Sequence, residues 1–587
     1  MFEATKVGRS VSKDDFKEQQ EELRTQLLEA QRELRQSRVP VVVLVSGVEG
    51  AGKGEVVNRL VEWLDSRGVQ TFAFWDETDE ERARPRYWRF WRSLPSRGEI
   101  AILFGGWYMT PLEYRFQGHC TDAELDAELN RIVDFERMLI LDGALVVKFW
   151  FHMSEPDQKA RLKELARDDR SRWKMVPSKA QFSEHYQSFE RVAERMILHT
   201  DRGISPWYLI EAEDRRYRDL TVGKTLLHAI RARLSEPAPE DQGPGAGSPE
   251  LPAGASARIT LLDQLNLELA LSQDRYKREM KALQGEINEL AWAAYNKKRS
   301  TVLVFEGVDA GGKGGAIRRI ASAIDARLYR TIPVAAPTDE EKAHHYLWRF
   351  WRHVPRAGYI TMYDRSWYGR VLVERVEGFA TAAEWRRSYS EINRFEEQLV
   401  DSGVILLKFW LHIDQDEQLR RFEDRKAVAY KQYKITDEDW RNREQWPKYK
   451  EAVNEMAVRT STKHATWTLV EGNDKPYARV KILRTICEAL KAALKTEQAP
   501  VAGYLPCGDR RPDEATAAQA QATAPGQGRR PEAGKRVENG KHTEGAKPAD
   551  KSDKSDKSDK SDKAEKPEKS EKSEKSEKSE KSDKPRI

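Results

Sequence analysis

The chain has 587 residues, of which 34% are charged and 39% hydrophobic, and a formal net charge of +5 at pH 7. That length allows two large domains, and so small a net charge argues against a general nucleic-acid coat. Cys120, Cys487 and Cys507 are spaced for neither a metal site nor a disulfide framework, and no apolar run approaches the roughly 20 residues that span a bilayer. A cytoplasmic protein in a reducing compartment, with no membrane partner, is expected.

Residues 1–35 are polar and charged, with no apolar signal core. An apolar, β-branched run, Val41 to Val45, then leads into Gly47-Val48-Glu49-Gly50-Ala51-Gly52-Lys53-Gly54. Strand, Gly-rich loop and helix in that order predict a P-loop, whose backbone N–H groups and helix N-terminus cradle phosphate. Next come an aromatic block, Tyr87-Trp88-Arg89-Phe90-Trp91-Arg92, then Trp107-Tyr108, the run Lys148-Phe149-Trp150-Phe151-His152, Lys174 and Glu211. Residues 235–258 are rich in Pro, Gly, Ser and Ala, lack aromatics, and read as a flexible linker.

After the linker the pattern repeats. Gly307-Val308-Asp309-Ala310-Gly311-Gly312-Lys313-Gly314 follows the run Thr301–Phe305 and lies 260 positions after its counterpart (47 to 307). The offset holds without a visible gap: Pro95 falls on Pro355, Trp107 on Trp367, Lys148 on Lys408, Lys174 on Lys434 and Glu211 on Glu471. One ancestral domain has been duplicated, giving repeats at 1–234 and 259–494. In the second repeat, helical periodicity covers Ile259 to Tyr295, strands are expected at Thr301–Phe305, Tyr359–Tyr363, Val404–Leu411 and Thr466–Val470, and amphipathic stretches at Asp339–Arg352 and Ala382–Val400. The fold class is α/β: two tandem P-loop kinase domains, each a parallel sheet flanked by helices with a helical lid. Residues 495–587 end in Lys/Ser/Asp/Glu repeats that cannot bury a core, so a disordered tail is expected.

The chemistry concentrates in the second repeat. The ordinary P-loop places Ser or Thr after its Lys to hold Mg²⁺; here that position is Gly314. Asp309 within the loop and Asp364 at a strand's C-terminal end are the candidate metal ligands. Lys313, Arg365 and Arg370 suit a transferring phosphoryl group. Arg420, Arg421, Arg425, Lys426, Lys431 and Lys434 form a basic segment that could close as a lid. The indoles Trp348 and Trp351 recur as Trp88 and Trp91, which favours packing over base stacking, and His412 reads as a packed strand-end residue.

The loop Gly-x-Asp-x-x-Gly-Lys-Gly, the Asp364-Arg365-Ser366-Trp367-Tyr368 block, the Lys408-Phe409-Trp410-Leu411-His412 run and the Arg421…Lys434-Ile435-Thr436…Asp439 segment together resemble the polyphosphate kinase 2 family. The tandem layout resembles its fused branch, which moves the terminal phosphate of inorganic polyphosphate onto AMP to give ADP with Mg²⁺. The resemblance implies that Asp309 and Asp364 position metal and phosphate, that Lys313 and Arg365 bind the transferring group, and that Gly307, Gly312, Gly314, Arg370, Arg421, Arg425 and Lys434 contact phosphates. The rival readings are a polyphosphate-dependent ADP/GDP kinase, an ATP-using kinase and a non-catalytic polyphosphate scaffold. In the first repeat Asp309 is replaced by Glu49, Asp364-Arg365-Ser366 by Phe104-Gly105-Gly106 and Arg425 by Leu165, so it is expected to be silent and to pack on the second as an intramolecular pseudo-dimer.

Overall fold

The computed structural model describes residues 1–74, 76–167, 184–236, 260–428 and 437–495. Each repeat opens with a long helix, Lys13–Gln36 or Gln273–Asn296. The first is capped by Ser12, whose hydroxyl accepts from the Asp15 N–H at 3.1 Å. Five strands follow in each: β1 (Val41–Gly47), β2 (Val69–Ala73), β3 (Ile100–Phe104), β4 (Leu145–His152) and β5 (Trp207–Glu211), then β6 (Thr301–Gly307), β7 (Tyr329–Pro333), β8 (Ile360–Asp364), β9 (Ile405–His412) and β10 (Trp467–Glu471). The sheets have the same wholly parallel order, β2-β3-β1-β4-β5 and β7-β8-β6-β9-β10. Helices cover both faces of the central strands, so β1 is buried along its whole length and its sequence shows no alternation. The strand after β6 in space lies on one side and β9 on the other, which opens a crevice at the C-terminal end of β6.

Four expectations need correction. The helix expected over Ile259–Tyr295 starts only at Gln273; before it Leu262–Gln264 forms a single short turn whose leucine is buried. The stretch Asp339–Arg352 is two short helices, Asp339–Lys342 and Trp348–Trp351, because the Ala343 carbonyl between them accepts from Arg97 of the first repeat at 2.8 Å. Strand β7 was not expected: it is a half-exposed edge strand ending in Pro333, where proline is tolerated. Ser235 and Lys495, expected to open the linker and the tail, instead end the helices Arg215–Ser235 and Lys475–Lys495; the rest of the linker from residue 237, the tail from residue 496, and Lys431, Lys434 and Lys174 lie outside the described residues. Among the described residues no helix is long and apolar enough to cross a membrane.

A buried polar network ties each sheet to the helix behind it. Lys408 on β9 donates to Glu396 (2.7 Å), to Tyr368 Oη (2.9 Å) and to the Thr460 carbonyl (2.7 Å). Glu396 also accepts from Trp367 Nε1 and Tyr368 Oη at 3.0 and 2.6 Å. The first repeat builds the same knot from Lys148, Glu136, Tyr108, Trp107 and Thr200. Both repeats keep this knot, so it is part of the shared fold.

The repeats touch through equivalent positions. Trp91 stacks on Trp351, its own counterpart, with ring centroids 5.8 Å apart and planes 18° from parallel. Arg394 pairs with its own counterpart Asp134 at 2.6 Å. The Arg97 N–H bonds the Ala343 carbonyl while the Ala357 N–H bonds the Ala83 carbonyl, two bonds that exchange roles under the 260-residue offset. His345 and His344 serve packing, not metal binding: His345 lies beside Trp91 and Glu391, and His344 stacks on Trp348.

Candidate active site

The loop after β6 is shaped by glycine. Gly307 has φ +151°, and a Cβ there would stand 2.3 Å from the Leu411 carbonyl oxygen, so no larger residue fits. The loop then enters the helix Lys313–Ala321, whose first turn lines the crevice. Lys313 Nζ donates back to the carbonyls of Gly307 (2.6 Å) and Val308 (3.3 Å), and burial pushes its pKa down. At Gly314, where a P-loop commonly carries a hydroxyl, the Asp364 carboxylate stands 3.7 Å from the Cβ position.

Asp309 anchors the opposite wall. Its Oδ1 accepts from Arg365 Nη2 and its Oδ2 from Asn442 Nδ2, each at 2.9 Å, and Tyr449 Oη donates to the Asn442 Oδ1 at 3.2 Å. Arg365 has φ +63°, a left-handed conformation that costs a branched or long residue roughly 1 kcal/mol or more. Its counterpart in the first repeat is Gly105, at φ +88°. The second repeat therefore bears backbone strain to hold a guanidinium at a position that suits glycine. Behind it Ser366 Oγ donates to the buried Glu306 at 2.8 Å, and burial pushes the Glu306 carboxyl up.

Asp309 and Arg365 separate two cavities. On one side is a groove of about 580 Å³ lined by Lys313, Arg318, Asp364, Arg421, Arg425, Asp439, Lys475 and Arg479. On the other is a cleft of about 90 Å³ whose walls are mostly apolar: Leu262, Val308, Leu372, Val373, Trp410, His412, Trp446, Tyr449 and Val453. Both cavities reach Asp309 and Arg365.

The structure thus gathers Gly307, Asp309, Gly312, Lys313, Gly314, Asp364, Arg365 and Arg425 around the crevice. Arg421 reaches the groove, but its guanidinium is held by the carbonyls of Ala310, Gly311, Gly472 and Asn473 at 2.6–3.1 Å, and it clamps the loop from behind. Arg370 is not brought to either cavity: it pairs with Glu374 at 2.9 Å and lies over the Tyr346 ring. Glu306, Asn442, Lys475 and Arg479 were missed. Asn442 lies 133 residues from the aspartate it bonds, and no local signal in the chain joins the two.

The first repeat has the same loop with a different filling. Arg218, where the second repeat has Ala478, places its Nη1 in the space beside Gly52. Glu55, where the second repeat has Gly315, pairs with Arg161 and Arg218 at 3.3 Å and with Arg215 at 3.8 Å. A carboxylate of the protein thus sits among the cations that would otherwise face an anion.

Burial, with Lys450 nearby, pulls the His412 pKa down to about 4, so its ring is neutral at pH 7. The unfolded chain takes up this proton near pH 6.5 and the folded chain only near 4, so stability falls as pH drops across that window, by up to about 3 kcal/mol from this residue. Urea midpoints at pH 7 and pH 4.5 should differ less in His412→Phe than in the unmodified protein.

The polyphosphate kinase 2 family matches residues 10–237 and 270–498. A protein of Pseudomonas aeruginosa named polyphosphate:AMP phosphotransferase is 49% identical over 499 residues, covering 85% of this chain and all of the relative. One of Acinetobacter johnsonii with the same name is 37% identical over 486 residues, 81% of this chain and 98% of the relative. A crystal structure of a polyphosphate kinase 2 from Pseudomonas aeruginosa superposes with TM-score 0.74 at 47% identity, over 84% of this chain and 99% of that one. With both repeats matched and relatives aligned over nearly their full length, the chain belongs to the polyphosphate kinase 2 family.

Proposed function

We propose that the chain transfers the terminal phosphate of inorganic polyphosphate to AMP, giving ADP, at the second repeat. The observation that carries this reading is the pair of unlike cavities meeting at Asp309 and Arg365. The groove with Lys313, Arg318, Arg425, Lys475 and Arg479 suits a chain of phosphates, which needs many cations and no base recognition. The apolar cleft suits a nucleoside. At about 90 Å³ it is smaller than ordinary ligand pockets, so AMP requires the wall formed by the helices Asp437–Glu444 and Trp446–Thr460 to move outward. The names of the two relatives support this choice of donor and acceptor.

In the transfer, an oxygen of the AMP phosphate forms a bond to the terminal phosphorus as the bond to the penultimate phosphate breaks, and the shortened chain leaves with the electron pair. The acceptor is already ionised near neutral pH, so no side chain has to remove a proton; positioning and charge neutralisation do the work. Lys313 and the helix N-terminus hold the donor, Arg365 faces the phosphoryl group in transit, and Asp309 with Asn442 fixes that guanidinium. Asp309 and Asp364 both line the groove beside Lys313 and offer the oxygen ligands that Mg²⁺ favours, so they are the residues that would hold it. When bound it would neutralise charge on the transferring phosphate.

The first repeat, with Phe104 and Gly105 in place of Asp364 and Arg365 and its loop filled by Arg218 and Glu55, is the silent partner of an intramolecular pseudo-dimer. The self-paired Trp91 and Trp351 and the reciprocal backbone bonds support an isologous contact. Asp134→Arg should destabilise the protein and Asp134→Arg with Arg394→Asp should restore it, with a coupling of about 0.5–1 kcal/mol in a double-mutant cycle.

The test is incubation with Mg²⁺ and each candidate donor and acceptor. ADP formed from AMP only with polyphosphate supports the reading. Faster use of ADP or GDP than of AMP transfers the reading to a nucleoside diphosphate kinase, and product with ATP alone as donor overturns it.

A further inference from the structure

The 260-residue offset allows the apolar cleft to be compared with its counterpart in the first repeat. Leu262, Trp410, His412 and Trp446 correspond to Phe2, Trp150, His152 and Tyr186. In the first repeat the cleft holds a flat ring from the chain itself. Phe2 is 3% exposed, and its ring lies 4.2 Å from the His152 imidazole with the planes 8° from parallel. It is also 6.2 Å from Trp150, at 27°. The segment that carries it is tied down by the terminal amino group on Glu194 (2.8 Å) and by Thr5 Oγ on the Phe2 carbonyl (2.6 Å).

In the second repeat the equivalent segment is strapped in the same way, by the Leu262 N–H on Asn454 Oδ1 (3.3 Å) and by Lys450 on Asp263. Its side chain is a leucine, and the cleft remains open beside His412. His412 is 7% exposed, and among the described residues its Nδ1, like that of His152, has no hydrogen-bond partner. The His412 ring thus lines an open cleft where the other repeat has a stacked ring.

We propose that the base of the acceptor nucleotide stacks on His412, in the place that the Phe2 ring holds on His152, and that Leu262 sets the room available for it. The assignment rests on the reading of this cleft as the acceptor side. Stacked aromatic pairs prefer this near-parallel arrangement, and a ring on a neutral imidazole meets no charge to desolvate.

Leu262→Phe tests it, because the introduced ring should cover His412 as Phe2 covers His152. AMP binding, measured by calorimetry, should weaken by about tenfold or more, as expected for loss of one base stack. The KM for AMP should rise in parallel, while kcat at saturating AMP and the KM for polyphosphate hold. His412→Ala should weaken AMP binding to a similar extent, and His412→Phe should recover most of the loss. The control Phe2→Leu should leave AMP binding as it was. Melting curves identify any variant that fails to fold. If the unmodified protein binds AMP and neither Leu262→Phe nor His412→Ala changes that binding, the stacking assignment fails alone. If the unmodified protein binds no AMP, the acceptor reading fails with it.

Discussion

Arg365→Gly is expected to lower kcat by about 10³-fold while leaving the melting temperature unchanged or slightly raised. The catalytic part follows from position: among the described residues Arg365 is the one guanidinium that lines both cavities, held toward them by Asp309 at 2.9 Å. Arginines that neutralise a phosphoryl group in transit contribute about 10³–10⁵ in rate. The stability part follows from the backbone. Arg365 sits at φ +63°, where its counterpart is glycine, and relief of that strain recovers roughly 1 kcal/mol or more. The ion pair lost with it is 42% exposed on the arginine side and is worth about 1 kcal/mol or less. The two nearly cancel, so a drop in activity cannot be ascribed to unfolding. Steady-state kinetics and a melting curve on one preparation check both parts.

Lys408→Met should behave in the opposite way. The Lys408 and Glu396 side chains are 0% and 1% exposed, and removal of the ammonium leaves a buried carboxylate with only the Tyr368 and Trp367 donors. Breaking a buried pair on one side costs about 3–5 kcal/mol. The knot also holds Trp367 and Tyr368, which follow Asp364-Arg365-Ser366, but the first repeat keeps the same arrangement around Lys148. Stability should therefore fall by that amount, read from urea midpoints, with activity per folded molecule largely retained. Lys148→Met should cost about the same in stability, since its pair is equally buried.

Much of this architecture could be read from residues. Buried parallel strands announce themselves as apolar runs, which is why β6, β8 and β9 emerged within a residue or two at their ends, as did the edge strand β10 with its Trp467, Leu469 and Val470. Strand β7 did not, because an edge strand with Arg330 and Pro333 lacks that pattern. The apolar spacing of 259–272 suggested helix, yet Leu262 there packs singly into the apolar cleft, so its spacing reflects one anchor rather than a helical face. Asp309, Lys313, Asp364 and Arg365 could be grouped in advance because strand ends and a Gly-rich loop converge in a parallel sheet. Arg421 and Arg370 sit differently from the sequence expectation for a common reason. Both look like substrate cations in the sequence, but the partners that occupy them, loop carbonyls for one and Glu374 with the Tyr346 ring for the other, are supplied by tertiary structure. Asn442 was invisible because an uncharged residue in a charged helix carries no chemical signature.

The central claim is a division of labour between two P-loops that each retain the glycines and the lysine. Its most direct test is a comparison of Lys53→Ala with Lys313→Ala in the full chain, assayed for ADP formation from polyphosphate and AMP. Lys53→Ala should retain activity within about twofold, since Arg218 and Glu55 already fill that loop, and Lys313→Ala should lose about 10²–10³-fold. Equal losses from the two substitutions, or substantial activity in Lys313→Ala, would contradict the account.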